Sequence, residues 1–146
     1  MKIETEILLE GNSIVLIPLE MKYKDSLFEA LKSPEVWKYT WREVKTIDDF
    51  EPIFMAAIQN KEEGKQIPFI IKDKVCGKVI GTTRIGDIDL VNRSVEIGWT
   101  WLSPSFWRTG ANTECKFLCF NIVLKSYKSY GFNFQLADKM NVRKRR

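Results

Sequence analysis

Histidine is absent from this chain. That removes the side chain that most often acts as a base near neutral pH, and the commonest nitrogen ligand for zinc. Cysteine is scarce: Cys76, Cys115 and Cys119 make an odd count, which fits a reducing compartment better than a disulfide framework. Cys115 and Cys119 lie four apart on an expected helix, but no histidine and no further close cysteine completes a metal site. They read as small buried apolar side chains, and no metal is expected. No apolar run approaches membrane-spanning length. The opening residues, Met1-Lys2-Ile3-Glu4-Thr5-Glu6, carry acids and lack the apolar stretch of a secretory leader, so a cytoplasmic location is expected. An excess of one charge is also missing from the body. The net charge is +4, and Arg143, Lys144, Arg145 and Arg146 account for all of it. A neutral body argues against a nucleic-acid-binding face.

What is present reads as one globular domain. The 146 residues are 45% hydrophobic and include five tryptophans, enough for a single core-bearing unit spanning residues 1–146. A first strand is expected from Asn12 to Leu19, ended by Pro18, and a helix from about Lys24 to Leu31. Ser33-Pro34 opens a short helical turn, with Pro34 where its missing N–H costs nothing. Trp37, Tyr39 and Trp41 alternate after it and read as core. A second helix runs from about Thr46 to Asn60, its buried stripe drawn from Phe54, Met55, Ala57 and Ile58. Lys61 to Lys65 is a solvated loop. Strands at Ile67–Ile71 and Lys78–Ile85, joined by a turn at Asp73–Gly77, continue through Asp87–Asn92 into a further strand as an antiparallel meander.

The stretch from Val95 to Lys116 organises the rest. Val95, Ile97, Trp99 and Trp101 alternate with Glu96, Gly98, Thr100 and Leu102, the pattern of a two-faced strand. Ser103-Pro104 stops it. A turn, Trp107-Arg108-Thr109-Gly110, leads into a helix from about Gly110 to Tyr127. Phe117, Phe120, Val123, Leu124 and Tyr127 are expected on its core side, with Cys119 and Ile122 on the flank. Lys116 falls inside that arc, where snorkelling is the preferred account and a place near a bound phosphate the other. A strand, a tight turn and a helix N-terminus together form a recurrent phosphate-binding device, because the first helical N–H groups have no intrahelical partners. On spacing alone, one glycine before a helix is more often a plain loop-to-helix junction.

The wording of this stretch resembles the core of the GNAT N-acetyltransferases, in particular the branch of the ribosomal-protein-serine acetyltransferases. The likeness lies in Glu96-Ile97-Gly98-Trp99, the pair Trp101-Leu102, Gly110 in the turn, and Thr113-Glu114-Cys115 opening the helix. Trp107 stands where Gln or Arg is usual, and Asn112 where a small residue is usual. The resemblance implies an α+β fold, a mixed and mostly antiparallel sheet flanked by helices. It also implies acetyl-CoA as cosubstrate and a primary amine, on a protein N-terminus or a small molecule, as acceptor. Backbone near Trp101 and Leu102 would bind the acetyl carbonyl and pantetheine arm. The turn of Trp107, Arg108, Thr109, Gly110, Ala111, Asn112 and Thr113 would hold the pyrophosphate.

Glu96 is the candidate catalytic base, because with histidine missing a carboxylate or a water chain must take the proton. A plain surface or ion-paired glutamate is its other reading. Phe132–Leu136 is expected as a last strand, and Asp138–Arg143 resembles the start of the family's next helix, with Asn141 touching the cofactor. The final helix and strands of the family are lacking, along with any candidate for the general acid. The domain is therefore expected to be C-terminally incomplete, with an open sheet edge covered by a second copy in a homodimer or larger oligomer. A CoA-binding remnant without catalysis, or a self-associating remnant, is the alternative.

Overall fold

The computed structural model describes residues 8–38, 40, 42–89, 94–129 and 141–144. Two short strands, β1 (Leu9–Glu10) and β2 (Ile14–Pro18), open the fold. A 3₁₀ turn (Met21–Tyr23) leads to the helices α1 (Lys24–Leu31), α2 (Pro34–Trp37) and α3 (Ile47–Glu62). Strands β3 (Ile67–Asp73), β4 (Val79–Asp89) and β5 (Ser94–Leu102) follow, then α4 (Ala111–Ser129) and β6 (Asn141–Lys144). The strands form one sheet in the order β1-β2-β3-β4-β5-β6. The pairs from β1 to β5 are antiparallel, and β6 lies parallel to β5. This is the α+β class, with the mixed and mostly antiparallel sheet that the sequence implies.

Local chemistry accounts for the boundaries. Ser33 is extended and Pro34 begins α2, where proline's fixed φ suits the first turn. At α3, Thr46 is the N-cap, and the Asp49 carboxylate accepts from the amides of Lys45 (2.9 Å) and Thr46 (3.1 Å). The first five residues of β3, Ile67 to Ile71, are all buried, as expected of a strand covered on both faces.

The sheet divides the core in two. On one side Leu16, Phe69, Ile71, Ile85, Val95, Ile97 and Leu102 pack with Cys115, Cys119 and Val123 of α4. On the other, Leu27, Leu31, Trp37, Phe50, Phe54, Ile70 and Trp101 form a cluster built from α1, α2, α3 and the sheet.

Four expectations are corrected. The α4 stripe is rotated: Ala111, Cys115, Cys119, Ile122 and Val123 are buried, whereas Phe117 is 61% exposed. Polar and apolar residues are interspersed around α4, so its periodicity selects no one face, and the small Cys115 and Cys119 let it sit close to the sheet. Lys116 then lies at the margin of the buried arc, and its apparent intrusion into the core disappears. Met55 is exposed, with Phe50 taking its place in the α3 stripe. Helix α3 continues to Glu62 and β4 to Asp89, so both connections are shorter than expected. Asn141–Lys144 is strand where a helix start was expected, with Ser94 opposite Asn141 and Ile97 opposite Lys144. Pairing there gives the first half of β5 hydrogen-bond partners on its outer edge. The expected strand at Phe132–Leu136, and the side chains of Tyr39 and Trp41, lie outside the described residues.

Candidate active site

The site begins with a break in the alternation of β5. Thr82 of β4 faces Trp101, but Arg84 faces Gly98. Two β5 residues, Trp99 and Thr100, therefore stand against the single β4 residue Thr83, which defines a β-bulge. Trp99 takes a φ of 47°, in the left-handed region that bulky residues avoid. Its ring lies over Gly86: a Cβ built there would come 2.7 Å from the indole, so only glycine fits beneath it. The Thr83 hydroxyl meets the Thr100 hydroxyl at 2.8 Å on the bulge. Beyond the bulge the faces exchange. Leu102 joins Val95 and Ile97 in the α4-side core, and Trp101 joins the opposite cluster. The expectation that Val95, Ile97, Trp99 and Trp101 share one face is thus corrected, because a residue inserted into a period of two reverses every later side chain.

The outer edge of β5 is the second element. The parallel ladder with β6 covers Ser94 to Ile97 and stops. Among the described residues, Gly98 to Leu102 have no strand on that side. A strand edge without a neighbour offers N–H and C=O groups to an extended ligand.

That open edge runs into the turn. After a 3₁₀ turn at Pro104–Phe106, the Trp107 indole N–H donates to the Leu102 carbonyl at 2.9 Å. Thr109 Oγ1 donates to the Phe106 carbonyl at 2.6 Å and accepts from the Ala111 amide at 3.4 Å. Arg108 (φ 63°) and Gly110 (φ 87°) are both left-handed, and nothing lies within 4 Å of a Cβ built on Gly110. This glycine answers to backbone conformation and an open approach, with no crowding from the protein itself. Arg108, Thr109, Gly110, Asn112 and Thr113 are exposed at the start of α4, where the first amides have no carbonyl a turn behind them. The Glu114 carboxylate points away from this opening, toward the Ser13 amide at 2.9 Å.

On the α1–α3 side of the sheet, Glu96 is 3% exposed and sits opposite Gly86. Arg84, 6% exposed, donates from Nη1 to Gln66 Oε1 at 3.1 Å. Its guanidinium lies 5.7 Å from the Trp101 ring, and that of Arg42 lies at the same 5.7 Å. Burial, and then the nearby Arg42 charge, lower the Arg84 pKa to about 10. Trp37 packs against Trp101 with ring centroids 4.9 Å apart, held by its indole N–H on the Leu31 carbonyl at 2.7 Å.

The structure thus brings Trp101, Leu102 and the turn from Trp107 to Thr113 to one end of β5. Glu96 is on the same strand, before the bulge. Asn141 is not brought there: it pairs with Ser94 at the opposite end of the nine-residue β5, roughly 26 Å of strand rise from Leu102. Arg84 and Arg42 were missed. A charged residue inside the expected strand Lys78–Ile85 was the available signal for Arg84; nothing in the sequence marks Arg42. A cavity of about 730 Å³ lies between α1 and the β3–β4 turn, with Tyr23, Lys72, Val79 and Phe106 in its wall, and none of Arg108 to Thr113 lines it. Among the described residues no group of side chains suits a metal ion, and no helix is long and apolar enough to cross a membrane.

Comparison with known proteins gives the family and the fold. Residues 13–140 match the model of the acetyltransferase (GNAT) domain, and the chain belongs to that family. A GCN5-related N-acetyltransferase from Brucella melitensis superposes with a TM-score of 0.72 at 29% identity, over 84% of this chain and 57% of that one. The chain therefore spans less than two thirds of that relative's length. An acetyltransferase of the GNAT family from Bacillus anthracis gives a TM-score of 0.66 at 16% identity, over 84% of this chain and 69% of that one. An acetyl transferase from Salmonella typhimurium, which modifies the N-terminal serine of a 50S ribosomal subunit protein, gives 0.67 at 13% identity, over 86% and 70%. These last two likenesses concern the fold alone. A search of curated proteins returns no match.

Proposed function

We propose that this chain moves an acetyl group from acetyl-CoA to a primary amine by direct attack. The observation that carries the reading is the edge of β5 from Gly98 to Leu102, which has no strand beside it among the described residues and leads straight into the exposed turn before α4. The pantetheine arm would lie along that edge as an added strand, against backbone of Trp101 and Leu102. The pyrophosphate would meet the amides between Arg108 and Thr113, with the Arg108 guanidinium available to its charge. Asn141 is retained as a cofactor contact only in the family's own arrangement, since its strand pairing favours the far end of β5.

Glu96 would take the proton from the acceptor ammonium. The freed amine attacks the thioester carbonyl, the C–S bond breaks, and the thiolate leaves with a proton from solvent or the acceptor. Glu96 is buried on the same strand as the candidate cofactor edge, which would keep a proton it takes away from bulk water. A cytoplasmic setting and a homodimer or larger oligomer belong to the same reading. Sedimentation at low micromolar concentration tests the assembly.

The test of function is twofold. Acetyl-CoA should raise the melting temperature, since a ligand of the native state alone stabilises it. Thiol release with an amine panel should be rapid for the parent chain and about 10²–10⁴-fold slower for Glu96→Gln, with acetyl-CoA affinity unchanged. A thermal shift without turnover for any amine would instead support the CoA-binding remnant. No shift at all would leave only self-association.

A further inference from the structure

The bulge in β5 has the wrong residue for its conformation. An antiparallel bulge can hold its first residue near the right-handed region, which any side chain accepts, or in the left-handed region, where glycine is usual. Trp99 is the first of the two residues set against Thr83, and it is left-handed, with φ 47°. The largest side chain stands where the smallest is expected. The glycine lies instead on the neighbouring strand. Gly86 of β4 sits under the Trp99 ring, and a Cβ there would come 2.7 and 2.9 Å from two ring carbons and 3.2 Å from the Gln66 stem. Gln66 is itself buried, and its Oε1 accepts from Arg84 Nη1 at 3.1 Å, so the stem has little room to retreat. The second bulge residue, Thr100, is tied separately, its hydroxyl 2.8 Å from that of Thr83.

We propose that Gly86 and Trp99 are positioning residues for acetyl transfer: the ring seated on Gly86 selects the left-handed form of the bulge, and that form sets how the backbone after Trp99 presents its N–H groups along the outer edge of β5. The proposal rests on the acetyl-transfer reading and deepens it. Neither the register nor the core requires the left-handed form. Both kinds of bulge set two residues against one, so Trp101 faces Thr82 and Leu102 faces Gly81 in either. What differs is φ at Trp99, and a change there turns the peptide planes on its two sides against each other. Those planes lie directly before Trp101 and Leu102, whose backbone is the candidate ligand of the thioester carbonyl. A donor aimed at a developing oxyanion acts over a narrow range of direction, and losing one costs about 10²–10³-fold in kcat. Gly86 thus serves the reaction from the next strand, through the ring above it.

The experiment reads the carbonyl directly, by infrared difference spectra of acetyl-CoA isotope-labelled at the thioester carbon. A carbonyl held by aimed donors absorbs at lower frequency than free acetyl-CoA, and the parent chain should show that shift. Gly86→Ala should lose most of it, with kcat for any accepted amine down about 10²-fold and acetyl-CoA affinity within about threefold of the parent. Adding Trp99→Gly to Gly86→Ala should restore the shift and most of the rate, because glycine takes the left-handed form unaided and no ring meets the new methyl. If Gly86→Ala fails to fold, as judged by its melting curve, Trp99→Ala and Trp99→Gly decide. Both lose the ring, but only the glycine variant should keep the shift; a role in packing alone moves the two together. The parent's band and rate in Gly86→Ala, equal bands in the two Trp99 variants, or a bound parent carbonyl at the free frequency each overturn the proposal while acetyl-CoA still binds. Absence of acetyl-CoA binding to the parent chain is a different result: it removes the acetyl-transfer reading, and this proposal with it.

Discussion

The carboxylate of Glu114 accepts from both the amide and the hydroxyl of Ser13, at 2.9 and 2.5 Å, across 101 positions of sequence. It accepts more weakly from the Ile14 amide at 3.4 Å. The first turn of α4 is thereby tied to the β1–β2 corner, and the fit is close: a Cβ on Gly11 would collide with this carboxylate. Burial works against its ionisation, but the Ser13 hydroxyl and the amides of Ser13, Ile14 and Asn12 outweigh it and hold the pKa below the ordinary 4.5. A depressed carboxylate contributes stability above its unfolded pKa and loses it as pH falls through the folded value. Glu114→Gln should therefore cost on the order of 1–2 kcal/mol at neutral pH, a fall of several degrees in melting temperature. The gap to the parent chain should narrow as pH is lowered below about 4. Thermal melts at neutral and acid pH check both parts. A constant gap would mean that the charge of Glu114 is not what holds the corner.

A second test concerns Gly110. Its φ of 87° disfavours any side chain, and the space around it is open. Gly110→Ala should cost about 1 kcal/mol of stability through backbone strain and leave acetyl-CoA affinity within about threefold. Gly110→Glu adds a negative charge at the same place and should weaken acetyl-CoA binding by tenfold or more. Calorimetry on the pair separates strain from charge. Equal affinities for the two variants would place the pyrophosphate elsewhere.

A third test asks which side of α4 faces the sheet. Phe117 is 61% exposed, while Cys119 is fully buried. Its hydrogen bond to Cys115, and then burial, push the Cys119 thiol well above the usual thiol range, so it stays protonated. Cys119→Ser places a more polar hydroxyl in that apolar layer and should cost about 1–3 kcal/mol. Phe117→Ser should stay within about 0.5 kcal/mol of the parent chain, despite removing the larger side chain. Urea denaturation distinguishes these. The reverse order would restore the face that periodicity suggested.

Much of this molecule can be read from its residues, and the failures have physical causes. The boundaries of α1 at Lys24–Leu31, and the proline start of α2, follow from local periodicity and from proline's fixed φ. The family was legible from Glu96-Ile97-Gly98-Trp99 and the Gly110 turn, because these residues answer to backbone demands that few sequences meet. The bulge at Trp99 was not legible, since Trp99-Thr100-Trp101 continues an unbroken alternation and only the partner strand reveals the extra residue. The face of α4 was hidden because its polar and apolar residues are interspersed around the axis. Arg84 was passed over because its meaning depends on Trp101 and Arg42, which are distant in sequence and meet only in the folded sheet.

The extra residue in β5 has a genetic consequence. Deleting either Trp99 or Thr100 would put the strand back in phase with its neighbour. Trp101 would still face Thr82 and Leu102 would still face Gly81, so both would keep their present sides of the sheet. What would go is the left-handed residue that lays the Trp99 ring over Gly86. A one-codon deletion at this point thus separates the bulge from the packing on either side of it, which no single substitution does.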